Sequence, residues 1–264
     1  MFWQGKCVLI TGATGGIGRA LAEYLAAQGA KLGLLARREE VLSELSQALR
    51  GRGAEVAFAV ADVADLGAVR AAVRALEEQV GTCDVVIANA GIHRKTDGKQ
   101  FDPVEANRVI ATNVQGVINT FGAVLPAMVE RRRGHLAAVA SIASLLGLPA
   151  GGAYCASKAA VLALLESLRL DLAAVGVKVT TVCPGFVDTP MLTDEERATR
   201  KDLLSAADTA RRICWAIERG RAEYWFPWRT WILAEGARLL PFGLYAKIMA
   251  SFPPMEEPPA SPMS

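Results

Sequence analysis

Tyr154-Cys155-Ala156-Ser157-Lys158 places a phenol and an amine four positions apart. On a helix that spacing is one face, with about 6 Å between the two groups along the axis. An unperturbed tyrosine, with a pKa near ~10, transfers protons poorly at neutral pH. A nearby ammonium favours the phenolate, lowers that pKa and makes the phenol a usable general acid or base. Alone, such a pair is a common surface pattern, so proton transfer at Tyr154 needs support from elsewhere in the chain. Cys155 has no partner histidine in the pattern and reads as a small packing residue. His93 and His135 stand far from these residues in the pattern and receive no role.

A second constellation is Thr11-Gly12-Ala13-Thr14-Gly15-Gly16-Ile17-Gly18, set between an apolar strand pattern and a helix pattern. Glycine admits the positive φ of a tight turn and lets backbone approach a pyrophosphate. The helix N-terminus adds N–H donors and a partial positive charge for the anion. Gly12, Thr14, Gly16, Ile17 and Gly18 are therefore candidate dinucleotide contacts. The next strand ends Leu34-Leu35-Ala36-Arg37-Arg38. A site for NAD usually presents a carboxylate there to the ribose 2′-OH. Ala36 followed by two arginines favours a 2′-phosphate held by charge-assisted hydrogen bonds, hence NADP(H), with Arg37 ahead of Arg38. The plainer reading is that both arginines open a solvated helix.

The elements that must position these groups alternate regularly. Residues 7–10, 31–35, 55–60, 85–88, 136–140 and 178–182 read as strands, apolar on both faces as buried parallel strands are. Helix patterns cover 17–28, 39–50, 64–80, 102–132 and 152–175, and Pro126 should kink the long one. Parallel strands need such crossovers, which predicts an α/β fold with a doubly wound, Rossmann-type sheet. A helix at 205–219, a strand at 222–226 and apolar, aromatic-rich helices to 252 follow. One domain over 1–252 is expected, with a core at 5–190 and a substrate lid plus C-terminal helical extension at 191–252. The last stretch, 253–264, is rich in proline and reads as a disordered tail.

Composition excludes several classes. The chain has 264 residues, 52% hydrophobic and 21% charged, which is too apolar for a disordered protein. Its 29 Lys and Arg against 27 Asp and Glu give no electrostatic case for nucleic acid. The five cysteines are scattered without a CxxC, so neither a disulfide framework nor a metal site is expected, and a reducing, cytoplasmic setting fits. The first residues run straight into a strand, so no secretory signal is expected.

In order along the chain stand TGxxxGIG at 11–18, Asp62-Val63, Asn89-Ala90-Gly91, Asn113, Ser141, Tyr154 with Lys158, and Pro184-Gly185-Phe186-Val187-Asp188-Thr189. In these the chain resembles the short-chain dehydrogenase/reductase (SDR) family over roughly residues 5–190. The resemblance implies a nicotinamide-dependent oxidoreductase with Asn113, Ser141, Tyr154 and Lys158 as its catalytic set. Tyr154 is then the acid/base, Lys158 lowers its pKa and binds the nicotinamide ribose, Ser141 bonds the substrate oxygen, and Asn113 holds a water of the proton relay. Asp62 and Val63 should meet the adenine, and Asn89, Ala90 and Gly91 the adenosine ribose. Pro184, Gly185, Val187 and Thr189 should flank the nicotinamide. More locally, Ser141 reads as a strand cap, Asp62 as the cap of a helix from Ala64, and Asn113 as a pin between helix and strand.

Two departures matter. The family's usual Asn-Asn-Ala-Gly appears here as Ala88-Asn89-Ala90-Gly91. The glycine-rich acidic C-terminus that helps many members form tetramers is replaced by Tyr224, Trp225, Phe226, Trp228, Trp231 and the apolar residues up to Phe252. The 224–252 segment has three readings: a packing layer over the substrate cleft, a homodimer or homotetramer interface, or a peripheral membrane contact. Leu145, Leu146, Leu148, Phe186, Met191 and Leu192 suggest a small apolar carbonyl compound or secondary alcohol as substrate, and the charged loop 191–204 suggests a mobile lid. An SDR-type epimerase or dehydratase, and an NADP-binding regulatory protein without turnover, are the competing readings.

Overall fold

Apolar runs covered on both faces become the strands of this protein, and the amphipathic stretches between them become its helices. The computed structural model describes residues 2–200 and 202–256. Its strands are β1 (Cys7–Thr11), β2 (Lys31–Ala36), β3 (Val56–Val60), β4 (Val85–Ala88), β5 (Gly134–Val139), β6 (Val177–Pro184) and β7 (Glu223–Phe226). Its helices are α1 (Gly16–Ala27), α2 (Glu39–Arg50), α3 (Leu66–Val80), α4 (Pro103–Ile110), α5 (Gly116–Glu130), α6 (Gly152–Leu172), α7 (Asp194–Thr199), α8 (Ala206–Glu218), α9 (Trp228–Arg238) and α10 (Phe242–Ala250).

The strands are parallel and lie in the order β3-β2-β1-β4-β5-β6-β7. The order reverses between β1 and β4, where Ile10 stands opposite Ile87. A crevice forms at that reversal, beyond the carboxyl ends of the strands. Alternate residues of each strand feed opposite layers. Val8 and Ile10 join Leu21 and Leu25 of α1, Leu42 and Leu45 of α2, and Ile213 of α8. Leu9 joins Leu76 of α3, Phe121 of α5, and Val161 and Leu165 of α6. Truncating a fully buried leucine such as Leu25 or Leu165 costs about 2–5 kcal/mol in such a core.

The helix read over 102–132 runs without a break over Pro103–Glu130, as α4, a π-helical turn at Ala111–Gln115, and α5. Pro126 lies inside α5, which continues to Glu130; the irregular turn falls ahead of α5 instead. The run Pro103–Glu130 is long and apolar enough by composition to cross a membrane, but Val109, Val117, Phe121 and Met128 are buried in the protein.

The C-terminal segment covers the loop that follows β5. Trp231 and Ala234 of α9 pack on Ile142 and Leu145, and the Tyr245 hydroxyl of α10 donates to the Gly147 carbonyl at 2.7 Å. The packing-layer reading thus describes its inner face. Its outer face leaves Trp228, Leu233, Leu239 and Phe242 exposed. Met255 and Glu256, read from sequence as part of a disordered tail, instead lie against residues 93–95 and 149–151, while Pro253 and Pro254 are exposed. The remainder of that tail, 257–264, and Lys201 of the charged loop lie outside the described residues.

Candidate active site

The glycine turn leads from β1 into α1. Gly12 has φ +66°, and a methyl group added there would lie 2.7 Å from the Ala90 Cα. A methyl at Gly18 would overlap the Gly12 carbonyl, so this turn and the loop after β4 pack backbone on backbone. Asn89 fastens the two: its Nδ2 donates to the carbonyls of Thr11 at 3.1 Å and Gly12 at 3.2 Å. In return the Thr11 hydroxyl accepts from the N–H groups of Asn89 and Ala90, each at 3.1 Å. No side chain caps α1, and its first turn holds no acidic residue. Its N-terminus therefore offers donors and positive potential to an anion, which fits a dinucleotide pyrophosphate.

At the ends of β2 and β3 the charged groups engage one another. Arg38 donates to the Thr14 carbonyl at 2.9 Å, which sets its guanidinium at the glycine turn. Arg37 pairs with Asp62 at 3.7 Å, both side chains about half exposed. Asp62 does not cap a helix from Ala64. It accepts the Ala64 N–H at 2.9 Å within a local turn, and α3 begins at Leu66 with Asp65 as its cap. Val63 is buried, its side chain against Gly116, and its carbonyl accepts from Asn119 Nδ2 at 2.9 Å.

The catalytic candidates converge. Asn113 lies in the π turn, a distortion common at functional sites because it re-aims a side chain. Its Oδ1 accepts from Ile92 N at 2.8 Å, and its Nδ2 donates to Ile92 O and to the Ser157 hydroxyl, both at 2.9 Å. Ser157 in turn donates to the Tyr154 carbonyl at 2.7 Å. In the sequence Ser157 is only a spacer between Tyr154 and Lys158, and its place three residues after Tyr154 is the one signal of this contact. Ser141 caps the short 3₁₀ turn Ile142–Ser144, accepting from Ala143 N at 3.1 Å, and its hydroxyl stands near enough to the Tyr154 phenol to lower its pKa. The Lys158 ammonium donates to the Val139 carbonyl at 2.9 Å and stands 5.7 Å from the centroid of the Tyr154 ring. Gly91 is the close neighbour of both: a methyl there would lie 3.4 Å from Asn113 Oδ1 and from Lys158 Nζ.

Electrostatics correct one expectation. Burial pushes the Tyr154 phenol up to about 12, with the Ser141 hydroxyl pulling the other way. Burial also lowers Lys158, to about 8. Each group is driven toward its neutral form because charge is poorly solvated there. The Tyr154–Lys158 spacing alone points to an acidified phenol, whereas desolvation is the largest influence on both groups here and acts the other way. His93 is a second correction. Its ring meets that of Tyr154 edge to face with centroids 5.4 Å apart, which two positions beyond Gly91 could have suggested. His135 stays outside the site, bonded to the Thr180 hydroxyl at 2.8 Å, and burial lowers it to about 4. Cys155 is buried, as a packing residue is.

Residues after β6 close the other side. Pro184 ends β6, Gly185 donates its N–H to the Phe226 carbonyl at 2.7 Å, and Val187 is buried beside Leu204. Thr189 lies over the glycine turn: a methyl on Gly16 would come within 2.6 Å of its Cγ2. Arg197 of α7 ties the charged segment to this loop through Asp188 at 3.1 Å and the Thr189 carbonyl at 2.7 Å.

A doubly wound parallel sheet with a glycine turn at its reversal, and a Tyr, Lys, Ser and Asn set beside it, defines a dinucleotide-dependent oxidoreductase. The short chain dehydrogenase family model matches residues 6–200, and the chain belongs to that family. An uncharacterized oxidoreductase of Myxococcus xanthus is 38% identical over 240 residues, spanning 91% of this chain and 94% of that protein. Oxidoreductase UcpA of Escherichia coli is 37% identical over 188 residues, 71% of each chain. Among solved structures, a short chain dehydrogenase/reductase from Burkholderia phymatum in complex with NAD superposes with a TM-score of 0.84 at 28% identity, covering 97% of this chain and 98% of that one. Levodione reductase superposes with a TM-score of 0.78 at 27% identity, over 85% and 96% of the two chains.

Proposed function

We propose that the protein is an NADP(H)-dependent oxidoreductase that interconverts an apolar carbonyl compound and its secondary alcohol, with Tyr154 as general acid/base. The convergence of Tyr154, Ser141 and Lys158 beside the loop of Gly91 is the observation that carries this reading. A bound reduced nicotinamide supplies the hydride. Gly12, Thr14, Gly16, Ile17 and Gly18 hold its pyrophosphate, and Asp62 with Asn89, Ala90 and Gly91 borders the adenosine. Pro184, Gly185, Val187 and Thr189 flank the nicotinamide, and Lys158 reaches its ribose.

As the carbonyl carbon is reduced, negative charge grows on its oxygen. The Ser141 and Tyr154 hydroxyls are hydrogen-bond donors for that charge, placed before it forms. Tyr154 gives its proton to the oxygen, and Ser141 and the Lys158 ammonium stabilise the phenolate left behind. In the alcohol-to-carbonyl direction the same groups act in reverse.

NADP(H) is favoured over NAD(H) by Ala36, which offers no carboxylate, and by Arg38 standing at the glycine turn with donors to spare. The relatives solved with NAD differ from this chain at about seven positions in ten, so cofactor choice rests on these residues. The apolar substrate is supported by Leu145 and Leu146, which with Ala237, Leu240 and Phe242, and alongside Arg238 and Tyr245, line a cleft of about 240 Å³ next to the Ser141 loop. The test is loss of NADPH absorbance over a panel of apolar ketones and of sugars. Turnover of the ketones supports the reading; tight NADPH binding without turnover of any carbonyl compound would assign a sensing role instead.

A further inference from the structure

After α10 the chain turns back toward Tyr154. The Met255 N–H donates to the Pro149 carbonyl at 2.9 Å. The Glu256 carbonyl meets His93 Nε2 at 3.1 Å, and its carboxylate lies 4.0 Å from Lys95 Nζ. The Met255 side chain rests on Gly151; a methyl at Gly151 would overlap its Sδ. Loops 93–96 and 149–151 are themselves joined, through Thr96 N to Ala150 O at 2.7 Å and Ala153 N to the Thr96 hydroxyl at 3.2 Å. These two loops bracket Tyr154. One carries His93, whose ring packs on the phenol, and the other leads into the helix turn that holds Tyr154. Pro253 and Pro254 precede the contact, and their restricted φ lowers the entropy lost in holding an extended segment there.

We propose that Met255 is a specificity-determining residue: seated on Gly151 beside the two loops that bracket Tyr154, and apart from the cleft lined by Leu145 and Phe242, it walls the approach to Tyr154 and limits the size of the carbonyl compound that reaches it. This rests on the reading of Tyr154 as the proton donor. A methionine thioether suits such a wall, since its unbranched, polarizable chain adapts to irregular apolar shapes. Gly151 belongs to the same device, because a methyl there would push the Met255 thioether off the loop.

The experiment measures kcat/KM with NADPH for a compact ketone, cyclohexanone, and a bulky one, 2-decalone, in four full-length proteins. These are the unaltered chain, Met255→Ala, Met255→Trp and Gly151→Ala. Opening an apolar pocket by a few carbons changes discrimination by about tenfold or more. The bulky-to-compact ratio is expected to rise about tenfold in Met255→Ala, to fall by a similar factor in Met255→Trp, and to rise in Gly151→Ala. Gly151→Ala combined with Met255→Ala should match Met255→Ala alone, because both act by removing one wall. Opposite shifts for Ala and Trp are something a merely structural role would not produce. Ratios unchanged, or moved the same way by both substitutions, overturn the assignment of Met255. Absence of ketone turnover in the unaltered chain overturns the proposed reaction instead.

Discussion

Replacing Lys158 by methionine should make the protein more stable while it removes catalysis. The ammonium is 6% exposed and is held on the Val139 carbonyl. A fall from the usual 10.5 to about 8 amounts to roughly 3 kcal/mol for keeping the charge at pH 7, at about 1.4 kcal/mol per tenfold. Losing the hydrogen bond to Val139 offsets about 1 kcal/mol of that. Lys158→Met should therefore gain about 2 kcal/mol at pH 7, which for a chain of this size is a Tm rise of roughly 4–8 °C. The pH dependence has a definite sign. Between about 8 and 10.5 the unfolded chain binds the Lys158 proton more tightly than the folded chain, so folded stability rises with pH there. Buried Cys7, Cys83 and Cys214 are raised and work in the opposite direction above pH 9, but they are common to both proteins; Cys183, which Lys158 pulls down, adds to the difference only above pH 9. The difference between the two urea unfolding curves isolates Lys158. It should be about 2 kcal/mol at pH 7 and close to zero at about pH 9.5. A variant less stable than the parent at pH 7, or a gap that ignores pH, refutes the reasoning.

Further outcomes follow from the other residues. Gly18→Ala should fold but bind NADP(H) and NAD(H) at least about tenfold more weakly by calorimetry, since its methyl overlaps the Gly12 carbonyl; unimpaired binding contradicts the pyrophosphate assignment. Arg38→Ala should weaken NADP(H) by about ten- to a hundredfold, the worth of a charged hydrogen bond, and Arg37→Asp should shift preference toward NAD(H). Equal affinities for the two cofactors in the unaltered chain count against both. Asn113→Ala strands the N–H and C=O of Ile92, a cost of about 2–4 kcal/mol and roughly 5–15 °C in Tm; a fall under about 2 °C in thermal unfolding denies the π turn its anchoring role.

What the sequence disclosed was local. The strand at 85–88 and the helix at 39–50 have the observed ends because each is written in its own periodicity and bounded by its own breakers. The glycine turn and the Tyr154–Lys158 spacing were legible for the same reason. What stayed hidden depends on residues distant in the chain. The π turn arises from Asn113 reaching Ile92 and Ser157, and no periodicity encodes that reach. His93 meets Tyr154 edge to face, and Met255 returns to Pro149, only once the sheet has brought the loops together. The ammonium was expected to acidify the phenol because spacing reports proximity, whereas the pKa values are set by burial, which spacing does not report.

The account depends most on the hydroxyl of Tyr154, and Tyr154→Phe removes that group while keeping the ring that packs on His93. Ketone-dependent oxidation of NADPH, with cofactor affinity followed by NADPH fluorescence in the same protein, measures its contribution. The expected result is a loss of about 10²–10⁴-fold in kcat with cofactor affinity retained. Undiminished turnover in Tyr154→Phe would contradict the assignment of the proton donor.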